Sequence, residues 1–199
     1  MKFKINQKMF DVLNERELKT LMREAKKRKH PWHSNWVVAI NSGMRSGELF
    51  ALEMSDVDLD RNMIFVKKSR DKDNNIKIGT KSLYDRNFKM SSSLRKIVIQ
   101  LIKERKGEQF LLPRIHEWET GSQAAVLREF LGEIGLTSIR YHDLRASWAT
   151  LLLSKGIGPA KIMKVGGWKD LKVFQRYIRK AGIEIDGVAE ALDCLDEEE

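Results

Sequence analysis

Apolar residues recur at helical spacing through most of the chain. Leu13, Leu18, Leu21 and Ala25 share one face of a helix that Asn14 caps, that carries Glu15 and Glu17 in its first turn, and that ends in the basic stretch Lys26–Lys29. Pro31 breaks it, and Trp32, Trp36, Val37 and Ile40 form the buried face of a second helix that stops at Gly43. Arg45 is thereby placed near the start of the next helix. Residues 63–66, 75–78 and 87–90 read as three short strands, with Asp71–Asn75 the clearest turn among them. Ser91–Ser93 then cap a helix carrying Leu94, Ile97, Val98, Leu101 and Ile102, and Leu112-Pro113 closes that half. Further helices are predicted at about 122–134, 142–154, 159–165, 170–179 and 186–195, separated by Gly135, Gly156–Pro159, Gly166-Gly167 and Gly182. The pattern predicts an α+β domain, mainly α-helical, with a small three-stranded antiparallel sheet and no internal repeat.

With 199 residues and 42% hydrophobic content, the chain is long enough for one real core, and one domain is expected. A single cysteine, Cys194, excludes a disulfide framework and fits a reducing cytoplasm. The start lacks an apolar signal core and no run approaches eighteen apolar residues, so neither secretion nor membrane spanning is expected. His30, His33 and His116 read as surface or capping residues. No His, Cys and Asp cluster has metal-ligand spacing, so no metal site is expected.

Charge changes the picture. The net charge is +9, but residues 184–199 hold eight acids and no base, which leaves 37 bases against 20 acids in residues 1–183, a surplus of 17. Such a surplus over one domain favours a polyanion, because each neutralised phosphate releases counterions, although a merely solubilising surface would look similar.

The chemistry sits in a few residues. His142-Asp143-Leu144-Arg145 is followed by Gly166-Gly167-Trp168 and by Tyr177, and Arg45 lies far upstream in Ser42–Glu48. Two guanidiniums clamp the non-bridging oxygens of one phosphate and stabilise the charge of a pentacoordinate transition state. His142 and Arg145, three residues apart on a helix, face one cleft and divide proton handling from charge stabilisation. A phenol is a weak nucleophile that needs a positive pocket and a base, and these residues supply both. Each has a plainer reading: a core histidine, an Arg145–Asp143 surface pair, an Arg45–Glu48 helical pair, a packing Trp168, a half-buried Tyr177. Their joint occurrence outweighs these readings.

These stretches resemble the tyrosine recombinases, also called phage-type integrases. Ala39–Leu52, with Asp56 following, is similar to the family's first box; His142–Leu153 and Gly166–Tyr177 are similar to the second. Ile78–Ser82 followed by Arg86–Met90 resembles the family's lysine-bearing hairpin, with Lys81 in the lysine position among neighbours Lys67, Lys68, Lys72 and Lys77. Trp168 stands where most members have a second histidine; it can donate one hydrogen bond but cannot transfer a proton. The resemblance covers roughly residues 12–180.

It implies the DNA breaking-rejoining catalytic-domain fold and a site-specific recombinase acting for a phage or mobile element. Tyr177 would attack the scissile phosphate to give a 3′-phosphotyrosyl link, with His142 as base, Lys81 as acid, and Arg45, Arg145 and Trp168 on the phosphate. Glu48 and Asp56 would orient this shell. No cofactor is implied, because the phosphotyrosine keeps the bond energy, so neither ATP nor metal is needed. The implied partners are double-stranded DNA recombination sites, further copies in a homo-tetramer on DNA, and accessory DNA-bending or directionality proteins, in a cytoplasmic, nucleoid-associated setting. Rival readings are a type IB topoisomerase-like enzyme and a catalytically inactive DNA-binding relative. Residues 1–183 are expected to be the catalytic domain and 184–199 an acidic C-terminal helix or tail. Arg45 comes too early for the family's core-binding and arm-binding domains to precede it, so a fragment or a natural minimal form is expected.

Overall fold

The structure is a computed structural model that describes residues 11–71, 73–79 and 86–181. The predicted helix at 186–195, Cys194 and Lys81 lie outside these residues. Helix α1 (Glu15–Lys27) starts at Asn14, whose side chain accepts the Glu17 N–H while the Glu17 side chain accepts the Asn14 N–H, a reciprocal cap. Its buried face is Leu18, Leu21 and Ala25. Helix α2 (His33–Ser42) departs from the expected single apolar face, because Asn35 to Ile40 and Ser42 are all buried. A helix enclosed on every side belongs to the interior, and α2 is the axis of the larger core. His30, expected as a surface or capping residue, is half-buried just ahead of α2: it accepts the Trp32 N–H on Nδ1 and stacks on Trp36 with ring centroids 4.6 Å apart.

After the short α3 (Ser46–Leu49) and a tight turn at Met54–Asp56, the sheet begins. A three-stranded antiparallel sheet is present, with partly different members from those predicted. Strand β2 (Met63–Val66) pairs with β1 (Val57–Asp58) on one side and with β5 (Arg86–Lys89) on the other, with Ile64 opposite Phe88. Residues 76–78 instead form β4 (Ile76–Ile78), which pairs with β3 (Lys68–Arg70) in a separate hairpin. The alternation of Ile76, Lys77 and Ile78 reads as a short strand, but while β3 packs against α3, β4 is exposed along its whole length and Ile78 is 90% exposed. Strand β1 is too short, at two residues, to leave a period-two signal.

Helix α4 (Ser92–Glu104) is capped by Ser91, whose hydroxyl accepts the Leu94 N–H, and it packs beside α2. Helices α5 (Ile115–Glu119), which has no predicted counterpart, and α6 (Ser122–Glu133) complete the larger core. Helix α7 (Asp143–Ser154) is the shared wall of the molecule. Leu144 faces the larger core, while Ala146, Trp148, Ala149 and Leu153 face a smaller one closed by α8 (Pro159–Gly166) and α9 (Leu171–Ala181). Among the described residues no helix is long and apolar enough to cross a membrane, and no group of three or more His, Cys, Asp or Glu is placed to hold a metal ion.

Gly43 closes α2 in the left-handed region at φ +61, where the Trp148 ring leaves no room for a side chain: an added Cβ would lie 2.4 Å from Trp148 Cε3. Gly135 shares the conformation, at φ +71, but has nothing within 4 Å. Gly135→Ala is therefore expected to cost only the backbone term, about 1–2 kcal/mol. Gly43→Ala adds overpacking of about 1–3 kcal/mol. Urea unfolding midpoints check this, and equal losses at the two glycines would mean that Trp148 yields without cost.

Candidate active site

Arg45 of the first box and Arg86 of the hairpin region meet at one buried carboxylate, Glu48, and Arg45 reaches the second box through its other guanidinium nitrogen. Arg45 precedes α3, and its backbone N–H and Nη1 donate to Glu48 Oε2 and Oε1 at 2.7 and 2.8 Å. Arg86, at the start of β5, donates from Nη1 and Nη2 to Oε1 and Oε2 at 2.9 and 2.5 Å. Glu48 is 1% exposed. Burial by itself raises its pKa; the hydrogen bonds and charge of Arg86, then the charge of Arg45, outweigh burial and hold the carboxyl below its ordinary value.

Three arginines reach from this centre to the turn after α8. Arg45 Nη2 donates to the Gly167 carbonyl at 2.8 Å, and Arg86 Nε to the Val165 carbonyl at 2.8 Å. Arg145, on α7 and 3% exposed, donates from Nη1 to the carbonyls of both Gly43 and Gly166 at 2.6 Å. Its guanidinium carbon lies 3.5 Å from the centre of the Trp168 ring, and its Nη2 is buried with no hydrogen-bond partner among the described residues. Burial first, and the Arg45 charge next, push its pKa down to about 9. Three guanidiniums against one carboxylate leave the pocket with surplus positive charge, and an anion accepting from Nη2 would relieve both deficits.

Tyr177 lies on α9, one face of which packs into the smaller core through Phe174 and Tyr177. Tyr177 is 8% exposed, and its ring meets Trp168 edge-on at 5.3 Å and Phe174 at 5.5 Å. Trp168 links Tyr177 and Arg145: Arg145 lies over its ring, Trp148 is stacked nearly parallel to it at 6.2 Å, and Phe174 and Tyr177 meet its edge. Gly166 makes this layering possible, since a Cβ there would lie 2.1 Å from Trp168.

His142 directly precedes α7. Its ring reaches the surface, yet surrounding protein atoms partly desolvate it, and this together with Arg145 lowers its pKa from the usual histidine value while Asp143 opposes the shift. Asp143 does not pair with Arg145; its carboxylate accepts from Arg140 Nε and Nη2, both at 2.9 Å. Asp56 lies apart from the arginines, where it accepts the Glu53 N–H at 3.0 Å and faces Lys68 at 3.6 Å. Three described lysines around the hairpin are engaged elsewhere: Lys68 with Glu53, Lys77 with Asp71 at 3.1 Å, and Lys67 over the Phe65 ring. Tyr141 is buried, its hydroxyl has no partner among the described residues, and burial pushes its pKa up. Arg86 is the participant that the sequence leaves without a role, since only its burial distinguishes it from the basic residues around it.

Residues 11–182 match the Phage integrase family. The chain is 24% identical over 198 residues to the integrase of Salmonella phage P22, covering 92% of this chain and 47% of that protein. It is 25% identical over 174 residues to the tyrosine recombinase XerA of Saccharolobus solfataricus, covering 87% of this chain and 54% of that protein. It thus spans about half the length of these relatives. A crystal structure of XerA recombinase superposes with a TM-score of 0.70 at 21% identity, over 100% of this chain and 68% of that one. The Tn1549 transposon integrase in complex with transposon right-end DNA gives 0.77 at 15% identity, over 96% of this chain and 67% of that one. The three-arginine centre thus joins two boxes that both fall within the matched region, and the chain belongs to the phage integrase family.

Proposed function

We propose that this chain is the catalytic domain of a site-specific DNA recombinase that cleaves and rejoins strands through a 3′-phosphotyrosyl intermediate. The observation that carries the reading is Arg145 Nη2, which is buried with no hydrogen-bond partner among the described residues, over the Trp168 ring whose edge Tyr177 meets, in a pocket with more guanidinium than carboxylate. Such a pocket favours a phosphate whose charge grows in the transition state over one whose charge stays fixed.

Tyr177 Oη attacks the phosphorus and the bond to the 5′-oxygen breaks. The phenolic proton passes to His142, whose lowered pKa keeps it neutral and able to accept at neutral pH. Lys81, by its resemblance to the family lysine, gives a proton to the departing 5′-oxygen. Arg45 and Arg145 hold the non-bridging oxygens, and Trp168 keeps Arg145 and Tyr177 in register while its Nε1 is available to a phosphate oxygen. Attack by the 5′-hydroxyl of a second strand reverses the steps and joins new partners. Duplex DNA as the substrate is supported by the surplus of 17 bases over acids in residues 1–183. Exchange between two duplexes calls for several copies, a tetramer by resemblance. Asp56 acts on the site only through the fold around Glu53 and Lys68.

Because the recombination site is unknown, the probe is a pool of nicked duplexes of randomised sequence, read as SDS-resistant protein–DNA adducts. Wild type should form adducts and transfer strands between duplexes, and Tyr177→Phe should form none while binding duplex nearly as well. Adducts persisting in that variant would remove Tyr177 as the nucleophile.

The two clamp arginines should separate by stability. Each alanine variant is expected to slow cleavage by about 10²-fold or more. Arg145→Ala also strips two buried glycine carbonyls of their donor, about 1–3 kcal/mol each, so it should melt earlier than Arg45→Ala. Equal melting temperatures would mean that water replaces the lost donor.

Cleavage should fall on the acid side as His142 becomes protonated. Since its pKa is lowered, the rate should hold through pH 6.5 and decline only below it, and His142→Ala should lose this limb. A decline centred above pH 6.5 in single-turnover cleavage would assign the limb to another group.

A further inference from the structure

We propose that Arg86 is the positioning residue for Arg45, fixing both of the anchors between which that guanidinium is held; this rests on the recombinase reading above. Arg45 is suspended between the Glu48 carboxylate and the Gly167 carbonyl. Arg86 grips the first anchor with two nitrogens, one on each Glu48 oxygen, and steadies the second through its Nε on Val165, two residues before Gly167. It also lines the turn directly, since a Cβ added to Gly167 would lie 3.0 Å from Arg86 Nη1.

The carboxylate is fully used. Each Glu48 oxygen accepts one N–H from Arg86 and one from Arg45, so it cannot rotate toward either arginine without losing bonds to the other. With Arg86 gone, both oxygens would be free to take the Arg45 fork face to face. The Arg45 donors that should meet phosphate would then be turned inward. A lysine at position 86 keeps the charge near Glu48, but a single ammonium cannot hold two carboxylate oxygens and the Val165 carbonyl in one plane. The three linked residues come from α3, β5 and the turn after α8, so no local sequence pattern ties them.

A residue that acts through Arg45 has nothing to act on once Arg45 is removed. Single-turnover adduct formation on the nicked randomised duplexes is measured for wild type, Arg86→Lys, Arg45→Ala and the double variant. Arg86→Lys should lower the maximal rate by about 10²-fold, the size of a small misplacement in a phosphoryl clamp, with duplex affinity changed by no more than about threefold. The double variant should be no more than about threefold slower than Arg45→Ala alone. Should Arg86→Lys fail to fold, Glu48→Gln cuts the same linkage from the other end and carries the same cycle. Multiplied losses in the double variant, or a loss in affinity with the maximal rate intact, would reduce Arg86 to a structural residue and overturn the inference. Absence of adducts in wild type would instead overturn the recombinase reading, and this inference with it.

Discussion

A carboxylate buried to the extent of Glu48 is tolerable only if its charge is met in place, and here that demand organises the molecule around it. Its partners come from residue 45 on one side and residue 86 on the other, and their remaining donors reach residues 165 and 167. Three distant parts of the chain are thereby closed on one point. The same arrangement leaves the pocket short of negative charge, with Arg145 near enough to feel Arg45 and with one of its nitrogens meeting no acceptor among the described residues. Fold stability and readiness for an anion thus have one origin.

The aromatic residues of the smaller core determine how Tyr177 sits beside this centre. Trp148 wedges against Gly43 and lies parallel to Trp168, which supports Arg145 on its ring and Tyr177 at its edge. Such rigid side chains lose little freedom on packing, and they carry position from the wall helix α7 across to α9. The Tyr177 ring thus packs against aromatic neighbours, while the arginines are held by hydrogen bonds.

Much of this was legible beforehand because it is local. The Asn14 and Ser91 caps, the boundaries of α6 to α9, and the grouping of Arg45, His142, Arg145, Trp168 and Tyr177 follow from spacing or from resemblance over short stretches. What escaped is non-local or very short. Strand β1 exists only because β2 pairs with it, and the β3–β4 hairpin separates from the sheet because β2 finds β5 instead. Arg86 reads like its basic neighbours until Glu48, 38 residues away, gives it a partner. The near-total burial of α2 does not show in the sequence because its polar Asn35 and Ser42 mark a wet face, whereas Asn35 donates to the Pro113 carbonyl and the Ser42 hydroxyl accepts the Met44 N–H inside the core.

The arginines are fastened to the turn and to the end of α2 through carbonyls of the main chain, at Gly43, Val165, Gly166 and Gly167. A carbonyl of this kind is supplied by whichever amino acid occupies the position, so point substitution does not delete the acceptor so long as the chain can still pass there. Descent therefore has to preserve a path and a length more than a set of side chains. Side chains at these four positions can thus change without the acceptors being lost. A one-residue insertion between Gly156 and Gly167 would be far harder to inherit, because it would swing the acceptors away from all three guanidiniums together.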